Sequence, residues 1–185
     1  MEEHVGTHRR LAALLVVAAV CGTVAGFVGN ATAGKAVFRV AEPARAAGGA
    51  QVTHACPVPD ALRPAFEHAS RDTSLPLSML VAVAKVESNL MVDAHSEAGA
   101  RGLLQLMPST AAALQLNVDD PDANVLAGAR YLRQMLDRFG STDLALAAYN
   151  AGPTAVAEAG GAPSAGVNAY VANVTGVWRS IAGCY

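Results

Sequence analysis

The sequence is poor in aromatic residues and in charged residues, and it carries no excess of basic charge. Aromatic side chains make up 5% of the 185 residues and charged side chains 15%, and the formal net charge is -2. Proteins that track nucleic acids need clustered lysine and arginine to neutralise the phosphates. We therefore expect no nucleic acid partner.

Cysteine is also scarce, and metal-binding patterns are absent from the sequence. The chain has three cysteines and five histidines, and no pair of them has the spacing of metal ligands. We therefore predict no metal site. What the chain does contain is 52% hydrophobic residues, mainly alanine, valine and leucine, which is enough to build one helical core.

The N-terminal residues have the pattern of a targeting segment. His8, Arg9 and Arg10 precede an uncharged run at residues 11–29, and small residues follow at 31–33. This pattern predicts a cleaved signal peptide over residues 1–33. The run is long enough to cross a bilayer, so an N-terminal membrane anchor with its arginines inside is the alternative. In either case we expect an exported protein, either released outside the cell or anchored in the membrane and facing outward.

Residues 34–55 are rich in alanine and glycine and show no apolar periodicity, which predicts a linker. Residues 56–185 then form one domain. Cys56 and Cys184 lie at its two ends. Because an exported protein reaches an oxidising environment, we expect them to form a disulfide. Two unpaired, unreactive thiols are the alternative.

The hydrophobic pattern from Asp60 onward is helical, so we predict an all-α fold. A small hairpin of weak strands is the one exception, at residues 91–99. The predicted helices span residues 60–72, 76–88, 103–115, 122–139, 142–149 and 166–181.

Glu87 is the first candidate for a catalytic residue. Leu80, Val83, Ala84 and Glu87 follow the three, four and seven spacing of one helical face, so a carboxylate closes an apolar stripe. Burial and the negative end of the helix dipole both disfavour its ionised form, so we expect a raised pKa. That property suits a general acid. The stripe alone is also compatible with a solvated glutamate near a helix end.

Three sequence blocks favour a catalytic Glu87 over a solvated glutamate. Glu87 is followed by Ser88, the stretch from Ser96 reads SEAGARGLLQLMP, and Ala148 begins AYNAGP. These blocks, in this order, resemble the lytic transglycosylases of the soluble, lysozyme-like domain type (SLT). The resemblance covers about residues 60–181 and implies a lysozyme-like, mainly helical domain.

The resemblance also implies a reaction. Glu87 would protonate the bond between N-acetylmuramic acid and N-acetylglucosamine in peptidoglycan glycan strands and then act as a base. The muramoyl C6 hydroxyl would attack internally and leave a 1,6-anhydro sugar, so neither water nor a cofactor is consumed. We expect a monomer that acts on this polymer.

Further residues match positions of the family motifs. Ser96 could equally form a loop hydrogen bond, Met107 could belong to the core, and Tyr170 could simply pack at the groove. The hydroxyl of the matching Tyr149 is expected to approach Glu87. The expected substrate-binding residues are Ser96, Gln105, Met107, Tyr149 and Tyr170, and the expected structural residues are Gly99, Gly102, Asn124, Asn150 and Gly152.

Two alternatives to this function remain open at the level of sequence. Asp93 or Glu97 could serve as a second carboxylate, as most glycosidases require, and the domain would then hydrolyse the bond as goose-type lysozymes do. A wall-binding module without catalytic activity, in a secretion or conjugation apparatus, is the alternative from another class. The chain also departs from many relatives, which carry Glu-Thr where it has Gly166 and Val167.

Overall fold

The computed structural model of the protein describes residues 54–185. The predicted signal peptide or membrane anchor, and almost all of the predicted linker, lie outside the described residues. Between residues 54 and 185, no helix has both the length and the apolar composition that crossing a membrane requires.

The described residues form seven helices, and the prediction of an all-α fold is confirmed. Five of the six predicted helices begin and end within a few residues of their predicted bounds. The helices are α1 (Arg63–Thr73), α2 (Leu77–Ser88), α3 (Pro108–Ala113), α4 (Pro121–Phe139), α5 (Thr142–Ala151), α6 (Pro153–Ala159) and α7 (Ala165–Ser180).

Helix α2 is the centre of the domain. Its residues 78–84 are all buried, and it packs against α1 on one side and α7 on another, while α4 packs against both α1 and α5. A buried hydrogen bond from Trp178 Nε1 to Ser78 Oγ, 3.0 Å long, joins α7 to the start of α2. The packing therefore places the C-terminal end of α2, with Glu87, among several other helices.

Local sequence signals account for the ends of the longest helix and the start of the next. Asp120 caps α4 by accepting a hydrogen bond from the Ala123 amide, and Gly140 ends it in the left-handed conformation. Ser141 then caps α5. Each of these residue types is one that is common at its cap position.

The predicted helix over residues 103–115 is wrong in its first third. Helix α3 begins only at Pro108, Met107 before it is extended, and Gln105 has a φ of 44°. A residue that precedes proline is disfavoured in the helical conformation. The residues before Met107 instead form a tight loop that carries much of the site.

Two other details differ from the sequence prediction. Gly152 ends α5, but Pro153 also begins a helix, α6, that was not predicted. Proline suits the first helical position because its missing N–H has no partner there in any case. In place of a hairpin, the described residues contain only isolated bridges, which pair Arg101 with His95 and with Leu106.

The predicted disulfide is present in the structure. Cys56 and Cys184 are bonded across 128 residues of sequence, with their Cα atoms 4.7 Å apart. The Cys56 amide also donates to the Tyr185 carbonyl at 3.2 Å. The beginning and the end of the domain are thus joined.

Candidate active site

A cavity of about 540 Å³ opens beside the C-terminal end of α2. Glu87 lies in its wall and is the only carboxylate among the described residues that line it. Six of the residues predicted from the sequence motifs lie in the same wall. The lining residues are Glu87, Ser96, Ala98, Ala100, Gln105, Leu106, Met107, Ser109, Thr110, Tyr131, Tyr149, Asn150, Ala151 and Gly152.

Glu87 combines a buried position with access to the cavity. Leu80, Val83 and Ala84, the other members of its helical stripe, are fully buried. Burial raises the pKa of Glu87 from 4.5 to about 7, although a hydrogen bond from Tyr170 acts in the lowering direction. The predicted upward shift is confirmed, and burial is its cause. A carboxyl group with such a pKa exists in both protonation states near neutral pH, as an acid that later becomes a base requires.

Two tyrosines approach this carboxyl group, and they have different partners. The Tyr170 hydroxyl donates to Glu87 Oε1 at 2.6 Å, whereas the Tyr149 hydroxyl donates to the Leu104 carbonyl at 2.7 Å. The direct hydrogen bond to Glu87 therefore comes from α7 and not from the tyrosine that the sequence motif indicated. Burial, and after it the Glu87 charge, raises the pKa of both tyrosines well above the ordinary value. Both hydroxyls therefore remain protonated donors.

The loop before α3 forms another part of the cavity wall. Ser96 lines the cavity, and its Oγ also accepts a hydrogen bond from the Ala100 amide at 3.0 Å. The loop hydrogen bond is therefore present, and substrate binding by Ser96 stays a prediction that its place in the wall allows. Gly99 has a φ of 91°, a conformation that favours glycine, so the loop turns back on itself there.

Gln105 lines the cavity with its amide in a fixed orientation. Its Nε2 donates to the carbonyls of Ala94, at 3.0 Å, and Gly102, at 2.9 Å. An amide has only two N–H donors, so the carbonyl Oε1 is the part left to bind a ligand. Met107 is 42% exposed and lines the same cavity, which places it in the groove and not in the core.

Gly102 and Asn124 form a close contact that supports this loop. A Cβ atom at Gly102 would lie 2.5 Å from Asn124 Nδ2, and the glycine has a φ of 73°. The Asn124 side chain is buried; it accepts from the Leu104 amide and donates to the carbonyls of Arg101 and Val118. The asparagine therefore holds the loop against α4, and no side chain larger than that of glycine fits at residue 102.

A family comparison agrees with this geometry. The profile of the transglycosylase SLT domain matches residues 64–169, which is more than half of the chain.

The chain belongs to the transglycosylase SLT domain family.

Individual relatives lead to the same family. The membrane-bound lytic murein transglycosylase F of Cellvibrio japonicus is 40% identical over 96 residues, which are 48% of this chain and 19% of that protein. The transglycosylase of the enterobacteria phage PRD1 is 41% identical over 85 residues, 45% of this chain and 32% of the phage protein.

A solved structure is similar as well. An inactive variant of the lytic transglycosylase Slt from Pseudomonas aeruginosa superposes with a TM-score of 0.58 and 31% identity, covering 66% of this chain and 24% of that one. The chain thus spans between about a fifth and a third of the length of these proteins.

The SLT domain places Asn150 and Gly152 at the cavity as well. Gly152 has a φ of 86° and separates α5 from α6, in keeping with its expected structural role. Asn150, the other expected structural residue, is exposed in the cavity wall, where its side chain is also available to a ligand.

The two residues considered from the sequence as a second catalytic carboxylate do not lie in the cavity wall with Glu87. Asp93 and Glu97 are both exposed, and neither is among the residues that line the cavity. In the described part of this SLT domain, the cavity therefore offers one carboxylate surrounded by neutral polar groups.

Some lining residues were missed from the sequence. Tyr131 of α4 lines the cavity, and its ring centroid lies 5.4 Å from that of Tyr149. A usable signal was Gly128, a glycine in the middle of a helix, which often marks close packing. A Cβ atom there would lie 2.3 Å from the side chain of Leu104, so α4 meets the loop one turn before Tyr131. Ser109 and Thr110 were missed because they follow directly after the motif.

The departure from the family pattern lies at the start of α7. Ser164 caps this helix by accepting from the Val167 amide at 3.2 Å. A Cβ atom at Gly166 would meet only the Ser164 hydroxyl, at 3.7 Å, so the backbone leaves room for a larger side chain. Gly166 precedes Tyr170 by one helical turn, which places it on the same side of α7. Gly166 therefore leaves this side of α7 without a side chain one turn before Tyr170.

Proposed function

We propose that this SLT domain is a peptidoglycan lytic transglycosylase that cleaves the bond between N-acetylmuramic acid and N-acetylglucosamine, with Glu87 as its catalytic residue. The observation that carries the proposal is a single, mostly buried carboxyl group, with a pKa of about 7, in a cavity whose other polar lining groups are neutral. The names of the relatives, which describe murein transglycosylases, support the same substrate.

The proposed reaction uses Glu87 twice. The protonated carboxyl group donates its proton to the glycosidic oxygen, and the N-acetylglucosamine departs with that proton as its C4 hydroxyl. The muramoyl C6 hydroxyl then attacks the anomeric carbon, and its proton returns to the Glu87 carboxylate. The enzyme is regenerated without water, and the new end of the chain is a 1,6-anhydro sugar.

The surroundings of Glu87 suit both steps. Because burial raises its pKa to about 7, protonated Glu87 is available near neutral pH as an acid of moderate strength. The hydrogen bond from Tyr170, 2.6 Å long, stabilises the carboxylate that forms when the proton leaves. The attacking hydroxyl belongs to the substrate, so this step is intramolecular and avoids the entropy of capturing a separate nucleophile.

The lining groups also suit a glycan. Ser96, Gln105 and Asn150 offer neutral hydrogen-bonding groups, and Met107 offers apolar surface. Sugars present hydroxyl and acetamido groups on an otherwise apolar ring, so neutral polar groups beside apolar surface are the appropriate complement. The fixed orientation of Gln105 assigns it the role of acceptor, for a hydroxyl or an acetamido N–H of the substrate.

The domain arrangement and the location belong to the same proposal. Residues 1–33 are a signal peptide or an N-terminal anchor, residues 34–55 are a linker, and residues 56–185 are the catalytic domain. The protein then acts as a monomer on the cell wall after export. A disulfide between Cys56 and Cys184 suits an oxidising compartment.

The test is a digestion of purified peptidoglycan by the full chain, with mass spectrometry of the released fragments. Glu87→Gln is the key variant, and Glu97→Gln is its matched control because that carboxylate is exposed and outside the cavity. We expect 1,6-anhydro ends from the wild type and from Glu97→Gln, and none from Glu87→Gln.

Other products would overturn the proposal. Fragments heavier by one water would show hydrolysis, as in a goose-type lysozyme. Binding to peptidoglycan without release of fragments would show a wall-binding module. Anhydro products from Glu87→Gln at the wild-type rate would refute the role of this glutamate.

A further inference from the structure

Ser88 directly follows Glu87 in the first sequence block, and the reaction proposed above gives it no role. Its side chain is 4% exposed. Its hydroxyl lies 2.9 Å from the Leu103 carbonyl and 3.1 Å from the Ala84 carbonyl one turn back. The shorter of these contacts leaves α2 and reaches the loop before α3, which forms part of the cavity wall.

Asn124 holds the same peptide group from the other side. Its Oδ1 accepts from the Leu104 amide at 2.9 Å. The Leu103 carbonyl and the Leu104 amide belong to one planar peptide unit. Side chains from α2 and α4 therefore hold the two polar atoms of a single plane, and the plane cannot rotate without breaking one of these hydrogen bonds.

The next carbonyl along the chain links this plane to a third helix. The Leu104 carbonyl accepts the hydroxyl proton of Tyr149, at 2.7 Å. A tyrosine hydroxyl has one proton to donate. The position of this carbonyl therefore directs the Tyr149 proton away from Glu87, although the two groups are close enough to interact electrostatically.

We propose that Ser88 and Asn124 are positioning residues, which hold the peptide between Leu103 and Leu104 in place. Through this peptide they fix the distance between the end of α2 and the two site residues Tyr149 and Gln105. This inference rests on the function proposed above. Neither side chain is proposed to touch the substrate, because neither lines the cavity. Gln105 is the next residue after this peptide, so a shift of the plane also displaces its acceptor oxygen.

Ser88→Ala removes one of the hydrogen bonds that hold this peptide plane, and alanine keeps the helical shape of α2. We expect kcat on a soluble glycan fragment to fall by about 10- to 100-fold, because small displacements of a catalytic group have large effects on rate. KM should change less. In the double variant Ser88→Ala with Asn124→Ala, the loss should be smaller than the product of the two single losses, since both residues hold the same group.

The pH dependence of the rate is a second measurement, and a general loss of stability would not change it. The titratable groups that face Glu87 are Tyr170 of α7 and Tyr149 of α5. Once the Leu104 carbonyl is displaced, the Tyr149 hydroxyl loses its acceptor, and we expect it to donate to Glu87, whose charge already acts on it. A second donor lowers the pKa of the carboxyl group, so the alkaline limb of the rate profile should move to lower pH.

Ser78→Ala is the matched control. It also removes a buried serine hydroxyl from α2, here the acceptor of the bond from Trp178, and Ser78 does not line the cavity. We expect Ser78→Ala to lower Tm but to keep kcat and the pH profile at a temperature where the protein is folded. If Ser88→Ala lowers kcat no more than Ser78→Ala does, the inference is overturned.

A titration that needs no turnover separates this inference from the proposed function. The carboxyl carbon of Glu87, followed by ¹³C NMR, should titrate at lower pH in Ser88→Ala than in the wild type and in Ser78→Ala. An identical midpoint in all three proteins overturns the inference, even if the wild type degrades peptidoglycan. A shifted midpoint supports it, even if the products on peptidoglycan refute the proposed reaction. Should Asn124→Ala not fold, Ser88→Ala alone decides.

Discussion

Glu87→Gln should make the protein more stable at pH 8, although it removes the proposed catalytic group. Burial raises the pKa of this carboxyl group from 4.5 to about 7, which means that the folded state disfavours its charged form. Glutamine has almost the same shape and no charge. The substitution therefore removes the cost of keeping a charge in a poorly solvated position.

The sign and the size of the effect follow from linkage. Between pH 4.5 and 7 the folded state binds the proton more tightly than the unfolded state, so the stability of the wild type falls as pH rises through this window. At about 1.4 kcal/mol for each pH unit, the fall amounts to about 3 kcal/mol. The contribution is fully present below pH 4.5 and is lost above pH 7. Glu87→Gln should lack this slope.

Urea unfolding at pH values between 4 and 9 measures the effect directly. Trp178 is the only tryptophan of the chain and is 3% exposed, so its fluorescence reports the loss of the α7 packing. The disulfide stays oxidised in every sample. Glu97→Gln, in the exposed loop, controls for the removal of a negative charge.

The expected result is a difference in unfolding free energy between Glu87→Gln and the wild type that grows by about 3 kcal/mol from pH 4 to pH 8. The control should show no such growth. A difference that stays constant with pH would refute the conclusion that Glu87 is desolvated, and with it the explanation of its acid and base behaviour.

Three further perturbations test other parts of the site. Tyr170→Phe removes a hydrogen bond to a charged group, a type of bond that contributes about 1.5–3 kcal/mol. The alkaline limb of the pH–rate profile should therefore move up by about one to two pH units. An unchanged limb would contradict the conclusion that the Tyr170 hydroxyl stabilises the Glu87 carboxylate. Gly102→Ala places a Cβ atom 2.5 Å from a buried asparagine side chain, so it should cost about 1–3 kcal/mol more in urea unfolding than Gly99→Ala, whose Cβ meets nothing within 4 Å; equal losses would point to backbone strain alone. Reduction of the bridge between Cys56 and Cys184 should lower stability by about 4 to 5 kcal/mol on the chain-entropy estimate but leave the rate below Tm unchanged, since neither cysteine lines the cavity; a lower rate in the folded, reduced protein would show that the bridge shapes the site.

Features with a local cause were predictable from the sequence. Asp120, Gly140 and Ser141 act within one turn of the helix end that each defines, so the residue type alone indicates the structure. The raised pKa of Glu87 was predictable for a related reason, since helical spacing shows that its neighbours on the same face are apolar. The family motifs then supplied six of the residues that line the cavity.

Features that depend on distant partners were not predictable in the same way. The apolar residues of the loop before α3 have helical spacing, which predicts a helix there. In the structure it is held open by Asn124, a residue of α4 that lies about twenty positions further along the chain. Gln105 has a positive φ, and glutamine is not a residue type from which this conformation can be predicted. The side chain compensates by bonding two nearby carbonyls.

The choice of tyrosine partner illustrates the same limit and shows why it matters for chemistry. The sequence motifs predict that the Tyr149 hydroxyl approaches Glu87 and place Tyr170 only at the groove, so they do not tell which hydroxyl donates to the carboxyl group. In the structure a backbone carbonyl, that of Leu104, binds the Tyr149 proton, so the hydroxyl that donates to Glu87 is that of Tyr170. A fully solvated carboxyl group would ionise near 4.5, and a second hydroxyl donor would lower the pKa from its present value of about 7. The proposed function therefore depends on where one uncharged carbonyl points, since an acid that must also act as a base needs a pKa close to the working pH.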